Sequence, residues 1–213
     1  MPALMINTAQ KKVVIIGGGS VAVRKAAYFS DAAVIMYSKT FEKTPAHVTC
    51  IQREVSPDDI FSIITGAFLV IAATSDPDLN SCIVAAARKS NILCNSANGE
   101  GDVIIPAQIE KGTITIGIST GGTAPVLAQH MRMQLETMLE TMFPELEQMD
   151  SFLTALRSKL KTRIPDQKKR SEILHLALYD NDIRATLQET KESDLKNIMD
   201  EMAEEYIQKC TSQ

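Results

Sequence analysis

The hydrophobic pattern changes character near residue 113. Before it, short apolar runs alternate with amphipathic helical stretches. Residues 13–16, 34–37, 48–53 and 92–95 read as strands. Residues 68–73 (Phe-Leu-Val-Ile-Ala-Ala) form a continuous apolar run of the kind a parallel sheet buries on both faces. Helical periodicity falls at 20–30 and at 78–89, where Leu79, Ile83, Val84 and Ala87 share one face. This βαβ rhythm predicts a doubly wound parallel sheet with a crevice at the carboxyl ends of its strands.

Beyond 100 the rhythm breaks. Two more strands are predicted at 103–105 and 113–118, the second running into Ser119-Thr-Gly-Gly-Thr-Ala-Pro125. A helix is predicted over 125–142, with Pro125 in the first turn, where a missing N–H costs nothing. Helical patterns alone follow, at roughly 145–163, 166–178, 180–189 and 192–209. The expected fold is therefore α/β: an N-terminal Rossmann-type sheet domain over 1–113, a small strand–helix segment over 114–147, and an all-helical C-terminal domain over 148–213.

The first predicted strand ends in Gly17-Gly-Gly-Ser-Val-Ala22, and a helix opens directly after it. Gly17, Gly19 and Ala22 fit the G-x-G-x-x-G/A fingerprint of a dinucleotide site. There the first glycine permits the turn, the second admits a pyrophosphate to the backbone, and the small third residue lets helix and strand pack closely. Ser20, Val21 and Ala22 then lie at the helix N-terminus, where N–H groups and the positive dipole end face the phosphates. Thr74, Ser75 and Asp76 follow the 68–73 run into the same crevice. Asp76 fits either the cofactor or the N-cap of the 78–89 helix. The second strand ends Met36-Tyr-Ser-Lys-Thr40, without the acid that usually binds a ribose 2′-hydroxyl. Ser38 suits that hydroxyl, and Lys39 suits a 2′-phosphate.

Composition changes this picture little. In 213 residues, 45% hydrophobic and 23% charged with a net charge of −4, nothing favours nucleic-acid binding. No apolar run reaches the ~18 residues of a membrane span. The N-terminal residues lack the basic and apolar regions of a signal peptide, and Cys50, Cys82, Cys94 and Cys210 form no C-x-x-C pair; both point to a cytoplasmic protein. His47, His130 and His175 have no ligand-like spacing, so no metal site is predicted. Seven basic residues against Asp166 alone lie between Arg157 and Arg170. They suit either an acidic ligand or a solvated face balanced by Asp200, Glu201, Glu204 and Glu205. Met131, Met138 and Met142, with Leu127, Leu135 and Leu139, make the 125–142 helix more apolar than a small monomer exposes, which predicts a homodimer.

Taken in order, Gly17-Gly-Gly-Ser-Val-Ala-Val-Arg-Lys-Ala26, Thr40-Phe41, Leu69-Val-Ile-Ala-Ala-Thr-Ser-Asp76 with Asn80, Cys94-Asn95 and Ile118-Ser-Thr-Gly-Gly-Thr-Ala-Pro-Val-Leu-Ala128 resemble the precorrin-2 dehydrogenase/sirohydrochlorin ferrochelatase family. That family includes the N-terminal module of bacterial siroheme synthase. The resemblance implies NAD as cofactor and a dimerisation segment with swapped elements. It also implies oxidation of precorrin-2 to sirohydrochlorin, followed in some members by Fe²⁺ insertion. The implied substrate is a macrocycle with eight carboxylates, which needs cationic and N–H-rich surroundings. Ser119, Thr120, Gly121, Gly122 and Thr123 could hold such a carboxylate, Thr120 matching the family's active-site serine, and His130 lies one helical turn further on.

The family places a catalytic Asp in the loop after the Cys-Asn strand end. Here that loop, Cys94-Asn-Ser-Ala-Asn-Gly-Glu-Gly-Asp-Val-Ile-Ile-Pro106, is about two residues short, and the expected acid falls on Asn98. An amide cannot accept a proton at neutral pH. Asp102 and Glu100 are the nearby acids, and the sequence does not choose between them. The same amide supports an alternative, a catalytically impaired partner protein that binds tetrapyrrole or NAD.

Overall fold

The computed structural model describes residues 2–189 and 195–211. Five strands, β1 (Lys12–Ile16), β2 (Ala33–Ser38), β3 (Val48–Gln52), β4 (Leu69–Ala72) and β5 (Leu93–Ser96), form one parallel sheet in the order β3-β2-β1-β4-β5. The order reverses direction beside β1, which is the switch point of a doubly wound fold. Every residue of β4 is buried, as are Val13 to Ile16 of β1, because helices cover both faces. Alternation then sorts the apolar residues. Val13, Ile15, Val34, Met36 and Ile71 face α1 (Ser20–Ala26) and Phe29. Val14, Ile16, Val70 and Ala72 pack with α2 (Ile60–Ile64) and α3 (Pro77–Lys89).

The 20–30 helix is shorter than its pattern predicts: α1 ends at Ala26 and a 3-10 turn completes it over Ala27–Phe29. Helix α2 has no counterpart in the sequence reading. A 3-10 turn over Pro57–Asp59, in which the capping residues Ser56 and Asp59 bond one another, leads directly into it.

The strand expected at 103–105 does not form. Val103 N–H donates to Cys94 O at 3.0 Å, but no ladder follows, and Pro106 has no N–H to extend one. The strand lies further on, as β6 (Ala107–Lys111), which pairs antiparallel with β7 (Ile114–Ile118) around Gly112. Along the chain the first boundary between two compact units falls between Pro106 and Ala107. One holds Met1–Pro106 with the turn Ser119–Ala124; the other holds Ala107–Ile118 and Pro125–Gln213.

The second unit contains the β6–β7 hairpin, α4 (Pro125–Met142), α5 (Leu146–Arg163), α6 (Gln167–Leu178), α7 (Asn181–Glu189) and α8 (Leu195–Thr211). The helix expected over 192–209 is α8; residues 192–194 of that expectation lie outside the described residues. Phe152, Leu156 and Leu160 of α5 are fully buried with Leu187 and Ala203, and the Phe152 and Tyr206 rings meet edge to face at 6.4 Å. The basic stretch is partly answered here: Lys159 pairs with Asp200 and Glu204, and Arg163 with Glu204. Among the described residues no helix is long and apolar enough to cross a membrane.

Candidate functional site: a dinucleotide crevice

The turn after β1 is built around three glycines with different constraints. Gly17 sits at φ +131°, and a Cβ there would collide with the carbonyl of Ala73. Gly18 is as constrained: a Cβ would meet Thr40 O and lie 2.7 Å from Ser38 Oγ. Gly18 O also accepts from Glu42 N–H at 2.8 Å, which ties the turn to the loop after β2. The fingerprint assigns Gly18 no role, so this constraint was not legible in the sequence. Around Gly19 there is only open space within 4 Å. No side chain caps α1, so the first-turn N–H groups of Ser20, Val21 and Ala22 are left to solvent or ligand. Ala22 is fully buried against the sheet. Closed at Gly17 and Gly18 and open at Gly19, the turn fits a pyrophosphate laid on its backbone.

Ser38 ends β2 beside this turn. Lys39 lies 3.3 Å from Glu54, with both side chains mostly in solvent. On the other side of β1, Thr74, Ser75 and Asp76 lead from β4 into α3. Asp76 Oδ1 accepts from Asp78 N and Leu79 N, which makes it the N-cap of α3. Thr74 is gripped by the buried carboxamide of Asn80.

The loop after β5 separates Asn98 from Asp102. Asn98 lies at the carboxyl end of the sheet: its Oδ1 accepts from Asn80 Nδ2 at 3.3 Å and its Nδ2 donates to Pro77 O at 3.2 Å, at the start of α3. Asp102 lies back along β5, one residue before Val103, and its Oδ1 is 3.6 Å from Arg88 Nε near the far end of α3. Since α3 returns antiparallel to the strands, Asp102 is set back from the crevice mouth. Glu100 accepts from Ser81 Oγ at 3.1 Å, and its carbonyl accepts from Arg88.

Two further groups lie on or against β5. Lys25 donates to Asn95 Oδ1 at 2.5 Å, and Asn95 Nδ2 donates to Val103 O at 2.7 Å. Burial, with the neighbouring Arg24 charge, holds the Lys25 amine below its ordinary pKa. Burial also pushes the Cys94 thiol up to about 11, so it is a packing residue and not a thiolate.

The Ser119–Thr123 turn belongs to the same compact unit as the sheet. Gly121 and Gly122 both take positive φ, at +67° and +86°. Ser119 Oγ accepts from Gly121 N and Thr120 Oγ1 from Ala124 N, each at 3.1 Å. Used as acceptors, these two hydroxyls keep their hydrogens for a ligand carboxylate. Thr123 Oγ1 donates within the turn, to Thr120 O at 2.7 Å. His130 is an exposed residue of α4, in the other unit. Among the described residues no His/Cys/Asp/Glu group is arranged to hold a metal ion.

Fold and turn together define a dinucleotide-binding protein of the doubly wound class. A family model described as "Putative NAD(P)-binding" matches residues 4–107. The precorrin-2 dehydrogenase of Methanosarcina barkeri is 38% identical over 181 residues, spanning 80% of this chain and 80% of the relative. The siroheme synthase of Gluconacetobacter diazotrophicus is 33% identical over 180 residues, which is 80% of this chain but 38% of that longer protein. A solved structure of "SirC, precorrin-2 dehydrogenase" shares the fold at TM-score 0.71 and 21% identity, covering 97% of this chain and 100% of the other. The chain belongs to the precorrin-2 dehydrogenase family.

Proposed function

We propose that this chain is an NAD-dependent dehydrogenase that oxidises precorrin-2 to sirohydrochlorin. The observation that carries the reading is the glycine turn, sterically closed at Gly17 and Gly18 and open at Gly19, in a chain 38% identical to a precorrin-2 dehydrogenase. NAD⁺, when bound, supplies the hydride acceptor. Gly19 and the first turn of α1 bind its pyrophosphate, Ser38 meets the ribose hydroxyl, and Thr74 flanks its nicotinamide end. The Ser119 and Thr120 hydroxyls and the N–H groups of their turn take a substrate carboxylate.

The proton lost with the hydride passes to water or to a substrate carboxylate. The acid position at the crevice mouth is held by Asn98, and an amide takes no proton at neutral pH. Metal insertion must strip two pyrrole N–H protons, so we propose that Fe²⁺ chelation by this chain is slow. The same amide supports the second reading, a non-catalytic partner that binds tetrapyrrole or NAD. We further propose a cytoplasmic homodimer that buries the apolar face of α4, where Val126, Leu127, Met131, Met138 and Met142 are all exposed.

Anaerobic incubation with precorrin-2 and NAD⁺, followed spectroscopically before and after Fe²⁺, separates these readings. The expected result is NAD⁺-dependent formation of sirohydrochlorin with little siroheme afterwards. Absence of oxidation in a folded chain that binds NAD⁺ would favour the partner reading.

A further inference from the structure

The Asn80 side chain sits near the start of α3 and is 1% exposed. All four hydrogen-bonding positions of its carboxamide are used. Oδ1 accepts from Thr74 N at 3.1 Å and shares the single hydroxyl hydrogen of Thr74, 2.8 Å away, with Asp76 O, which lies 2.9 Å from the same hydroxyl. Nδ2 donates to Thr74 O at 3.1 Å and to Asn98 Oδ1 at 3.3 Å. A side chain that holds both the N–H and the C=O of one residue fixes the peptide planes on either side of it. The Ala73–Thr74 plane is also packed against Gly17, which has no room for a Cβ against it. At the other end Asn98 continues the connection, through Nδ2 to Pro77 O at 3.2 Å and through its own N–H to Ser96 Oγ at 3.2 Å.

One line of contacts thus runs from the glycine turn after β1, through the peptide after β4, to the loop after β5. Each of these segments lies at the carboxyl end of the sheet, where a cofactor and its substrate meet in this fold. The chemistry of the line requires an amide at both asparagines. A carboxylate at position 98 would still accept from Asn80 but would bring no hydrogen to the Pro77 carbonyl. A carboxylate at position 80 would take away the donor to Thr74 O and Asn98 Oδ1 and would set a buried negative charge against both oxygens.

We infer that Asn80 is a positioning residue of the crevice, bracing the Thr74 peptide and the Asn98 carboxamide in one arrangement, with Asn98 acting as a strut and not as a proton acceptor. The inference rests on the dehydrogenase reading, in which those two loops flank the reacting end of the cofactor. A displacement of about 1 Å there costs on the order of 10²-fold in rate.

Asn80→Asp is the sharpest variant: it is isosteric and keeps the acceptor for Thr74, but when ionised has no hydrogen to give. Asn80→Ala, Asn98→Ala and the double variant complete a cycle. Three quantities are read: amide hydrogen exchange in the protein alone, NAD⁺ affinity, and kcat and KM for precorrin-2. In Asn80→Asp, exchange should accelerate across 97–99 but not at Thr74, whose N–H keeps its acceptor, nor in β1; in Asn80→Ala it should accelerate at Thr74 as well. Its kcat should fall on the order of 10²-fold, with KM changing less than about threefold. Asn98→Ala should lose less, and the double variant should lose no more than Asn80→Ala alone, since both remove one connection.

Faster exchange with unchanged kcat and NAD⁺ affinity would overturn the inference, as would losses that simply add in the double variant. If Asn80→Ala does not fold, Asn80→Asp and Asn98→Ala with their double variant form the same cycle. A wild-type chain that binds NAD⁺ without oxidising precorrin-2 would sink the dehydrogenase reading instead. The brace would then stand or fall on the exchange data and on whether Asn80→Asp weakens NAD⁺ binding.

Discussion

A single methyl group has a different cost at each glycine of the first turn. At Gly18 it would have to displace the Thr40 carbonyl and the Ser38 side chain, so Gly18→Ala should destabilise the fold by about 1–3 kcal/mol, the usual range for overpacking. At Gly19 it would enter open space. Gly19→Asp should therefore leave the circular dichroism and thermal midpoint nearly unchanged while abolishing NAD⁺ binding, through steric block and charge repulsion. Unchanged affinity in that folded variant, measured by calorimetric titration, would remove the pyrophosphate from this turn. A second residue-scale test concerns the acid position. Asn98→Asp places a base at the crevice mouth and keeps the bond from Asn80 while losing the one to Pro77. Siroheme formation from sirohydrochlorin and Fe²⁺ should rise by about 10²-fold or more. No rise would mean that the missing carboxylate is not what limits chelation.

Among the elements, α5 and α8 show how the helical unit holds together. Phe152 is fully buried and meets Tyr206, whose hydroxyl is pushed up to about 12 chiefly by burial. Phe152→Ala removes a whole ring from this core and should cost about 3–5 kcal/mol in denaturant unfolding of that unit. The charged edge of the same pair predicts a pH dependence. The hydrogen bond from Lys159, reinforced by Arg163, holds the Glu204 carboxyl below its ordinary range. A folded pKa below the unfolded one means stabilisation that is present above the unfolded value and lost as pH falls through the folded one. Glu204→Gln should thus lower the thermal midpoint at neutral pH, and its curve should converge with that of the wild type in acid. Parallel curves at every pH would show that the pair contributes nothing to folding.

For the whole molecule, α4 raises the question of assembly. Val126 is 80% exposed and Met142 61%, with Leu127, Met131, Met133 and Met138 exposed between them. So much apolar surface on one helix marks an interaction site. A second copy of this chain is the partner the proposed function supplies. Sedimentation at micromolar concentration should show a dimer, and Met138→Glu should convert it to a monomer with its helical content retained. A monomeric wild type under those conditions would leave α4 to some other partner.

The five strands of the sheet and the glycine turn were legible because their signals are local. Apolar runs such as 68–73 can be buried only from both sides, and Gly17 precedes a helix within a few residues. The long helices were legible for the same reason, since their apolar residues recur along one segment. What the sequence could not decide depended on partners distant along the chain. The β-branched run at 103–105 looks like a strand, yet it makes one backbone bond to β5 and stops at Pro106, while the less apolar 107–111 pairs with β7. Asp102 and Asn98 are four residues apart, but an ion pair draws one toward Arg88 while hydrogen bonds hold the other against Asn80 and Pro77. Asp76 could have faced the cofactor or capped α3, and the two N–H groups at its carboxylate make it the cap. The sequence by itself thus determined the sheet, its turn and the chemical type of each candidate. Only the tertiary structure decided how those side chains are buried and bonded, because burial and hydrogen-bond partners are set by segments the chain brings together from far apart.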